Sequence, residues 1–137
     1  MIVVDTNIVA YAMIEGEKTL FARRLREKES RWRLPSLWRH EFLNVLSAYG
    51  RENRIAIPQL ETLWGLAVSH FAAGESPVDM EKALKLAVQH RISAYDAQFV
   101  ALAQTLNIPC ITEDRRLQKT FPSTVRSMSE FLNSHES

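Results

Sequence analysis

The sequence contains little cysteine, little glycine or proline, and almost no excess charge. Its single cysteine, Cys110, excludes an internal disulfide and fits a reducing compartment, so we expect a cytoplasmic protein. No apolar run approaches the ~20 residues of a membrane-spanning helix, and the carboxylate of Asp5 comes too early for a signal peptide. The formal net charge of +1 excludes a strong overall attraction to nucleic acid, so any such attraction must come from a local patch.

What the sequence does contain is typical of a globular protein. It has 137 residues, of which 46% are hydrophobic and 24% charged. This length is sufficient to bury one hydrophobic core, and no linker longer than a loop interrupts the chain. We therefore predict a single domain over residues 1–137.

Hydrophobic periodicity alternates between strand and helix patterns along the chain. Short apolar runs predict strands at residues 2–4, 32–34, 108–112 and 124–126. Helical spacing predicts helices over residues 8–12, 17–29, 37–52, 58–71, 80–90, 94–106 and 115–119, and a last helix from residue 129. Ser36 is the predicted cap of the third helix. Alternation of this kind favours an α/β fold with a mostly parallel sheet and helices on both faces.

Four acidic residues occupy positions that favour a common site. Asp5 and Asp114 each follow a predicted strand, and ligands of open parallel sheets gather beyond the carboxyl ends of the strands. Glu41 and Asp96 share the apolar faces of their predicted helices, where an unpaired carboxylate would be costly. A divalent cation held by these carboxylates would remove that cost.

Each acid also has a simpler structural interpretation. Asp5 and Asp114 could cap the helices that follow them, and Ser93 with Asp96 resembles a capping box. Glu41, in the middle of its predicted helix, could instead pair with Arg39 or Arg51, or simply be exposed to solvent. These alternatives remain open at the level of the sequence.

The chemistry of the donors favours a hard cation over zinc. Carboxylate oxygens suit Mg²⁺ or Mn²⁺, whereas the single thiol and the histidines show no paired spacing for zinc. The histidines are His40, His70, His90 and His135. His40 adjoins Glu41 but diverges from it by about 100° on a helix, so we expect it at the surface.

Four segments together resemble one known family. They are Asp5-Thr6-Asn7, Trp38-Arg-His-Glu41-Phe-Leu-Asn-Val-Leu46, Ser93-Ala-Tyr-Asp96-Ala-Gln-Phe-Val-Ala-Leu-Ala103 and Thr112-Glu-Asp114-Arg-Arg-Leu117. In this order they resemble PIN domains, and specifically VapC-type toxins of bacterial toxin–antitoxin pairs. The resemblance covers nearly the whole chain.

The resemblance implies a three-layer α/β/α domain that cleaves RNA internally with Mg²⁺ or Mn²⁺, frequently forms homodimers and is inhibited by a cognate antitoxin. By position, Asp5 and Asp96 look like the core metal ligands, and Glu41 and Asp114 complete the pocket directly or through water. Thr6, Asn7 and Thr112 match as supporting groups. Glu113 beside Asp114 leaves open which of these two carboxylates points inward.

Two further interpretations concern the partners of such a protein. Arg39, Arg115 and Arg116 adjoin the acids and are candidates for binding RNA phosphates, although each is equally compatible with a solvated helix face. An antitoxin would cover apolar surface, for which the candidates are Leu60, Leu63, Trp64 and Phe71, residues that more often belong to a core.

Other functions compatible with the sequence are a nuclease of the same fold acting on structured DNA, and a non-catalytic binding module. A phosphoacceptor receiver domain also clusters acids at strand ends. A receiver domain would require an acidic pair after the first strand and a late lysine before a proline, and the sequence has neither. A binding module would be expected to lack some of the four acids.

Overall fold

The computed structural model describes residues 1–134 of the chain, so His135 lies outside the described residues. Within that range the strands are β1 (Ile2–Val4), β2 (Trp32–Arg33), β3 (Cys110–Ile111) and β4 (Val125–Arg126). The helices are α1 (Thr6–Met13), α2 (Thr19–Lys28), α3 (Trp38–Arg51), α4 (Ile57–Phe71), α5 (Met80–His90), α6 (Ala94–Leu106), α7 (Arg115–Thr120) and α8 (Met128–Leu132). A short 3-10 turn, Ala72–Gly74, follows α4. Each predicted strand and helix is present, with ends displaced by a few residues.

The sheet has the strand order β2-β1-β3-β4, and every pairing among its described strands is parallel. The prediction of a mostly parallel sheet is therefore confirmed. Because β1 lies between β2 and β3, its carboxyl end and that of β3 meet at one edge, where Asp5 follows β1. The backbone N–H of Asp5 donates to the carbonyl of Ile111 (3.2 Å), which fixes the end of β1 beside β3.

Strand alternation divides the core into two layers. Ile2 and Val4 pack on one face of the sheet, against α1 to α4, whereas Val3 packs on the other face, against α5 and α6. All three side chains are fully buried, as expected for a central strand covered on both sides. The arrangement is a three-layer α/β/α fold. No helix of the described range is both long and apolar enough to cross a membrane.

The start of α3 differs from the prediction. Ser36 does not cap this helix; Leu37 occupies the N-cap position and forms no side-chain hydrogen bond. Instead the first N–H groups of α3 are satisfied by a backbone turn, in which Trp38 donates to the carbonyl of Pro35 (3.1 Å). Because the helix begins at Trp38, Glu41 lies in its first turn and not in its middle, which corrects our interpretation of its position.

Candidate active site

Asp5 joins the end of β1 to the start of α1. Its Oδ1 accepts the N–H of Ile8 (3.1 Å), so the capping interpretation holds for this residue. Its Oδ2 accepts a hydrogen bond from the hydroxyl of buried Thr112, which lies just after β3. One carboxylate therefore both begins a helix and ties together two neighbouring strand ends.

Glu41 faces Asp5 from α3. Its Oε1 accepts a hydrogen bond from the buried hydroxyl of Thr6 (2.7 Å), which holds the carboxylate against the start of α1. Neither arginine that the sequence offered as its partner is used in that way. Arg39 pairs with Glu75 (2.5 Å), and Arg51 donates to the hydroxyl of Ser47.

Asp96 reaches the same place from the first turn of α6. The hydroxyl of Ser93 accepts the N–H of Asp96 (3.0 Å), as expected for an N-cap. The half-buried side chain of Asp96 lies beside buried Phe99 and lines a pocket together with Asp5 and Glu41.

This pocket, which we call the acid pocket, has a volume of about 230 Å³. Its lining consists of the three carboxylates and five other side chains: Asp5, Glu41, Asp96, Thr6, Asn7, Asn44, Val45 and Phe99. Asn44 was missed by the sequence analysis. Its position three residues after Glu41, on the same side of α3, is a sequence signal that could have identified it.

Asp114 lies outside the lining of the acid pocket. It is exposed, and its Oδ1 accepts the N–H groups of Arg116 (2.9 Å) and Leu117 (3.1 Å), so it caps α7. It is nevertheless connected to the pocket, because its own N–H donates to the Thr112 hydroxyl (3.1 Å) that in turn donates to Asp5.

Mutual repulsion links all four carboxyl groups. Burial raises the pKa of Asp5 from 3.8 to about 6; hydrogen bonds from Thr112 and Ile8 oppose this, and the charges of Asp96 and Glu41 add to it. Burial also raises the pKa of Glu41, to which Asp96 adds, and that of Asp96, to which Asp114 adds. Carboxylates with raised pKa values in one cleft are typical of functional sites.

The three candidate arginines differ in their surroundings. Arg116 lies near the acid pocket: its positive charge lowers the pKa of Asp96, and its guanidinium donates to the carbonyl of Arg91 (2.6 Å). Arg115 is exposed at the start of α7. Arg39 is held by Glu75, which also accepts the indole N–H of Trp38 (2.9 Å).

The structure also shows where Glu113 points. Its carboxylate accepts the N–H of Met128 at the start of α8 (2.9 Å) and lies 3.8 Å from the ammonium of Lys18. Glu113 therefore serves α8, and Asp114 is the one whose charge acts on Asp96.

The donor set of the acid pocket fits a hard divalent cation in its chemistry, since carboxylate and amide oxygens line it. In their present rotamers, no three acidic, histidine or cysteine side chains of residues 1–134 are grouped closely enough to hold a metal ion. Glu41 and Asp5 are turned toward the hydroxyls of Thr6 and Thr112. Binding would therefore require the carboxylates to draw closer together, which is compatible with these contacts because each carboxylate retains free lone pairs.

A parallel three-layer domain with carboxylates gathered beyond its strand ends defines a class of α/β protein with a polar site at the sheet edge. Residues 2–121 match the model of the PIN domain family, and the chain belongs to that family. The predicted family resemblance and fold class are thereby confirmed.

One protein is similar to the chain in sequence, and one solved structure is similar to it in fold. The chain is similar to Ribonuclease VapC3 of Pyrobaculum aerophilum, with 28% identity over 128 residues that cover 90% of this chain and 97% of that protein. Its fold is similar to the crystal structure of PAE2754 from Pyrobaculum aerophilum, with a TM-score of 0.76 and 17% identity. That match covers 96% of this chain and 92% of the other.

Proposed function

We propose that the protein is a metal-dependent endoribonuclease, the toxin of a type II toxin–antitoxin pair, which hydrolyses RNA phosphodiester bonds with Mg²⁺ or Mn²⁺. The observation that carries the proposal is the acid pocket of a PIN domain, where Asp5, Glu41 and Asp96 share one cleft and burial, with added charge repulsion, raises the pKa of each. Buried carboxylates that repel one another lower the stability of a fold, and a site for a cation explains why they are placed together.

Each acid has a role in this proposal. Asp5 and Asp96 would hold the ion, and Glu41 and Asp114 would complete the site directly or through water. When bound, the ion supplies a water of lowered pKa and neutralises charge on the phosphate. Thr6 and Thr112 orient Glu41 and Asp5 through their hydroxyls, and Asn7 offers an amide at the rim.

Contacts to the RNA backbone would come from Arg116 and Arg115, which lie at the start of α7 beside Asp114. Arg116 is the better placed of the two, because its charge already acts on Asp96. Arg39, the third candidate, would first have to leave its ion pair with Glu75. RNA is preferred over DNA as the substrate because the curated relative is named a ribonuclease.

The partners in the proposal are an antitoxin and a second copy of the chain. Two of the predicted antitoxin contacts, Leu60 and Trp64, line an apolar groove between α3 and α4 beside exposed Leu43, whereas Phe71 is buried in the core. For the homodimer, α5 exposes an apolar stripe of residues one turn apart, which are Met80, Leu84 and Val88. Exposed apolar stripes of this kind support contact with a partner.

The test is to incubate the purified protein with transfer, ribosomal and messenger RNA, with Mn²⁺ or with a chelator. We expect cleavage with Mn²⁺, none with the chelator, and loss of most cleavage in Asp96→Asn. Asp79→Asn is the matched control, because Asp79 caps the start of α5, which lies beside the end of α6 remote from Asp96, and asparagine keeps that cap.

Two results would refute the proposal. Full cleavage in the chelator would exclude metal dependence, and full cleavage by Asp96→Asn would exclude the acid pocket as the active site. A parallel assay on branched DNA separates the ribonuclease from a nuclease of the same fold that acts on structured DNA.

A further inference from the structure

A second groove adjoins the acid pocket on the α1–α3 side of the sheet. The residues on which its chemistry depends are Asn7, Tyr11, Lys18, Val45, Tyr49 and Arg54. We call it the tyrosine groove. Asn7 and Val45 line both the groove and the acid pocket, so that the two are continuous.

Helix geometry places the groove in line with the carboxylates. Tyr11 follows Asn7 by four residues on α1, and Tyr49 follows Val45 by four on α3, which packs against α1. Glu41, Val45 and Tyr49 are therefore on successive turns of one face of α3, and Tyr49 lies about 12 Å along the helix from Glu41. A chain bound at the carboxylates and continuing along this face would meet the tyrosine groove next.

Each tyrosine ring carries a cation on one face. The guanidinium of Arg54 lies 4.6 Å from the ring centre of Tyr49, and the ammonium of Lys18 lies 5.3 Å from that of Tyr11. Both rings are half-buried against the core, whereas Arg54 is exposed. The Tyr49–Arg54 pair thus places a solvent-exposed guanidinium over an aromatic ring that the core holds from beneath.

The charges of the groove are nearly balanced. Glu15 and Glu17 also line it, and Glu15 pairs with Arg23 (2.5 Å) while Lys18 lies 3.8 Å from Glu113. A balanced groove attracts phosphates weakly, so affinity must come from contacts that do not depend on net charge. Planar groups such as tyrosine rings and guanidinium groups bind nucleic-acid bases by stacking.

We propose that the tyrosine groove holds an unpaired base of the RNA strand, stacked on the Tyr49–Arg54 pair, beside the nucleotide whose phosphate lies at the acid pocket. This inference rests on the proposed function and adds to it a site for the base that neighbours the reacting phosphate. A base in a duplex already stacks on its neighbours and exposes no face, so the strand must be single-stranded where it crosses the groove.

Binding is measured by fluorescence anisotropy of a short, labelled single-stranded oligoribonucleotide in a chelator, where the proposed chemistry does not run. Tyr49→Leu is expected to weaken binding by roughly 5- to 150-fold, the range for one stacked base, without changing the salt dependence. Arg54→Gln is expected to weaken binding as well, and Tyr49→Phe to bind normally because it keeps the ring. Lys85→Gln, at an exposed lysine on α5, which packs on the other face of the sheet, is the matched control.

Two further arms make the assay specific. An oligonucleotide without bases at its central positions is expected to bind wild type and Tyr49→Leu equally, and double-stranded RNA to compete poorly. If Tyr49→Leu loosens the core, exposed Arg54→Gln still tests the pair in a folded protein, and thermal melting reports which of the two retains the fold.

The outcomes distinguish a failure of the base-stacking proposal from a failure of the proposed nuclease activity. If the wild type binds and cuts single-stranded RNA and both groove variants bind it normally, the proposed base-stacking site is refuted and the proposed nuclease activity is not. A wild type that neither binds nor cuts RNA would overturn the proposed function and the groove with it.

Discussion

The hydroxyl of Thr112 donates to Oδ2 of Asp5 and accepts the backbone N–H of Asp114 (3.1 Å). Thr112 is buried directly after β3, whereas Asp5 directly follows β1, so this short chain of hydrogen bonds crosses two neighbouring strand ends. It fixes the rotamer of the most perturbed carboxylate of the acid pocket. It also connects that carboxylate to the cap of α7.

The first prediction concerns this hydroxyl. Thr112→Val keeps the shape and removes the donor, so the pKa of Asp5 is expected to rise further, because the Thr112 hydrogen bond lowers it. The carboxylate then ionises at higher pH, and the acidic limb of the pH–rate profile for RNA cleavage should move upward. The fold should lose roughly 1 kcal/mol. Thr112→Ser retains the hydroxyl and should leave the profile in place; an unmoved limb in Thr112→Val would contradict the role of this bond.

The second prediction concerns stability against pH. The pKa of Asp5 is raised from 3.8 to about 6 in the folded protein, so its ionisation destabilises the fold as pH rises through this window. Asp5→Asn removes that cost and can retain the acceptor for Ile8. In a chelator at pH 7 we expect the variant to be more stable than wild type by roughly 1–3 kcal/mol.

Urea unfolding at several pH values measures this difference. It should disappear below about pH 3, where Asp5 is protonated in both the folded and the unfolded state. The same variant should lose cleavage. A variant less stable than wild type at pH 7 would show that the carboxylate stabilises the metal-free fold.

The third prediction separates the two roles of Asp114. Asp114→Asn keeps the cap of α7 and removes the charge, whereas Asp114→Ala removes both. We expect the asparagine variant to keep its melting temperature, and the alanine variant to lose about 1 kcal/mol of stability. Cleavage should fall roughly 10- to 100-fold in both, as for an outer partner of a metal site. Normal cleavage by Asp114→Asn would show that Asp114 caps α7 and has no role in the metal site.

Much of this site could be predicted from local pattern alone. Asp5 and Asp96 each stand at a place that the sequence marks by itself, the end of a β-branched run and the first turn of an apolar helix, and both line the acid pocket. The competing interpretation of the acids as helix caps is also correct, for Asp5 and for Asp114. A carboxylate has two oxygens, so capping a helix does not prevent it from facing a pocket.

What local pattern missed depends on contacts distant in sequence. The start of α3 is fixed partly by Glu75, which binds both Trp38 and Arg39 from more than 30 residues away, and no pattern near Ser36 contains that information. The same contact removes Arg39 from the free cations near the acids. The tyrosine groove was likewise invisible, because Tyr11 and Tyr49 become neighbours only when α1 packs on α3.

The last prediction tests whether the contact of Glu75 with the start of α3, which we call the Glu75 anchor, also positions the acid pocket. Gly74 precedes Glu75, and a Cβ added at Gly74 would lie 2.1 Å from the carbonyl oxygen of Trp32 in β2. Since backbone cannot yield as a flexible side chain does, Gly74→Ala must move this segment, and we expect it to cost roughly 1–3 kcal/mol in urea unfolding. Gly65→Ala is the matched control: the added Cβ meets nothing within 4 Å on exposed α4, so helix propensity should raise stability by up to about 1 kcal/mol.

The displacement should also reach the acid pocket. Glu75 holds the first turn of α3, which carries Glu41, so RNA cleavage by Gly74→Ala should fall even at temperatures where the variant is fully folded. Gly65→Ala should cleave as wild type does. If Gly74→Ala is destabilised but cleaves normally while folded, then the hydrogen bond from Thr6 is sufficient to position Glu41, and the anchor at Glu75 serves only the fold.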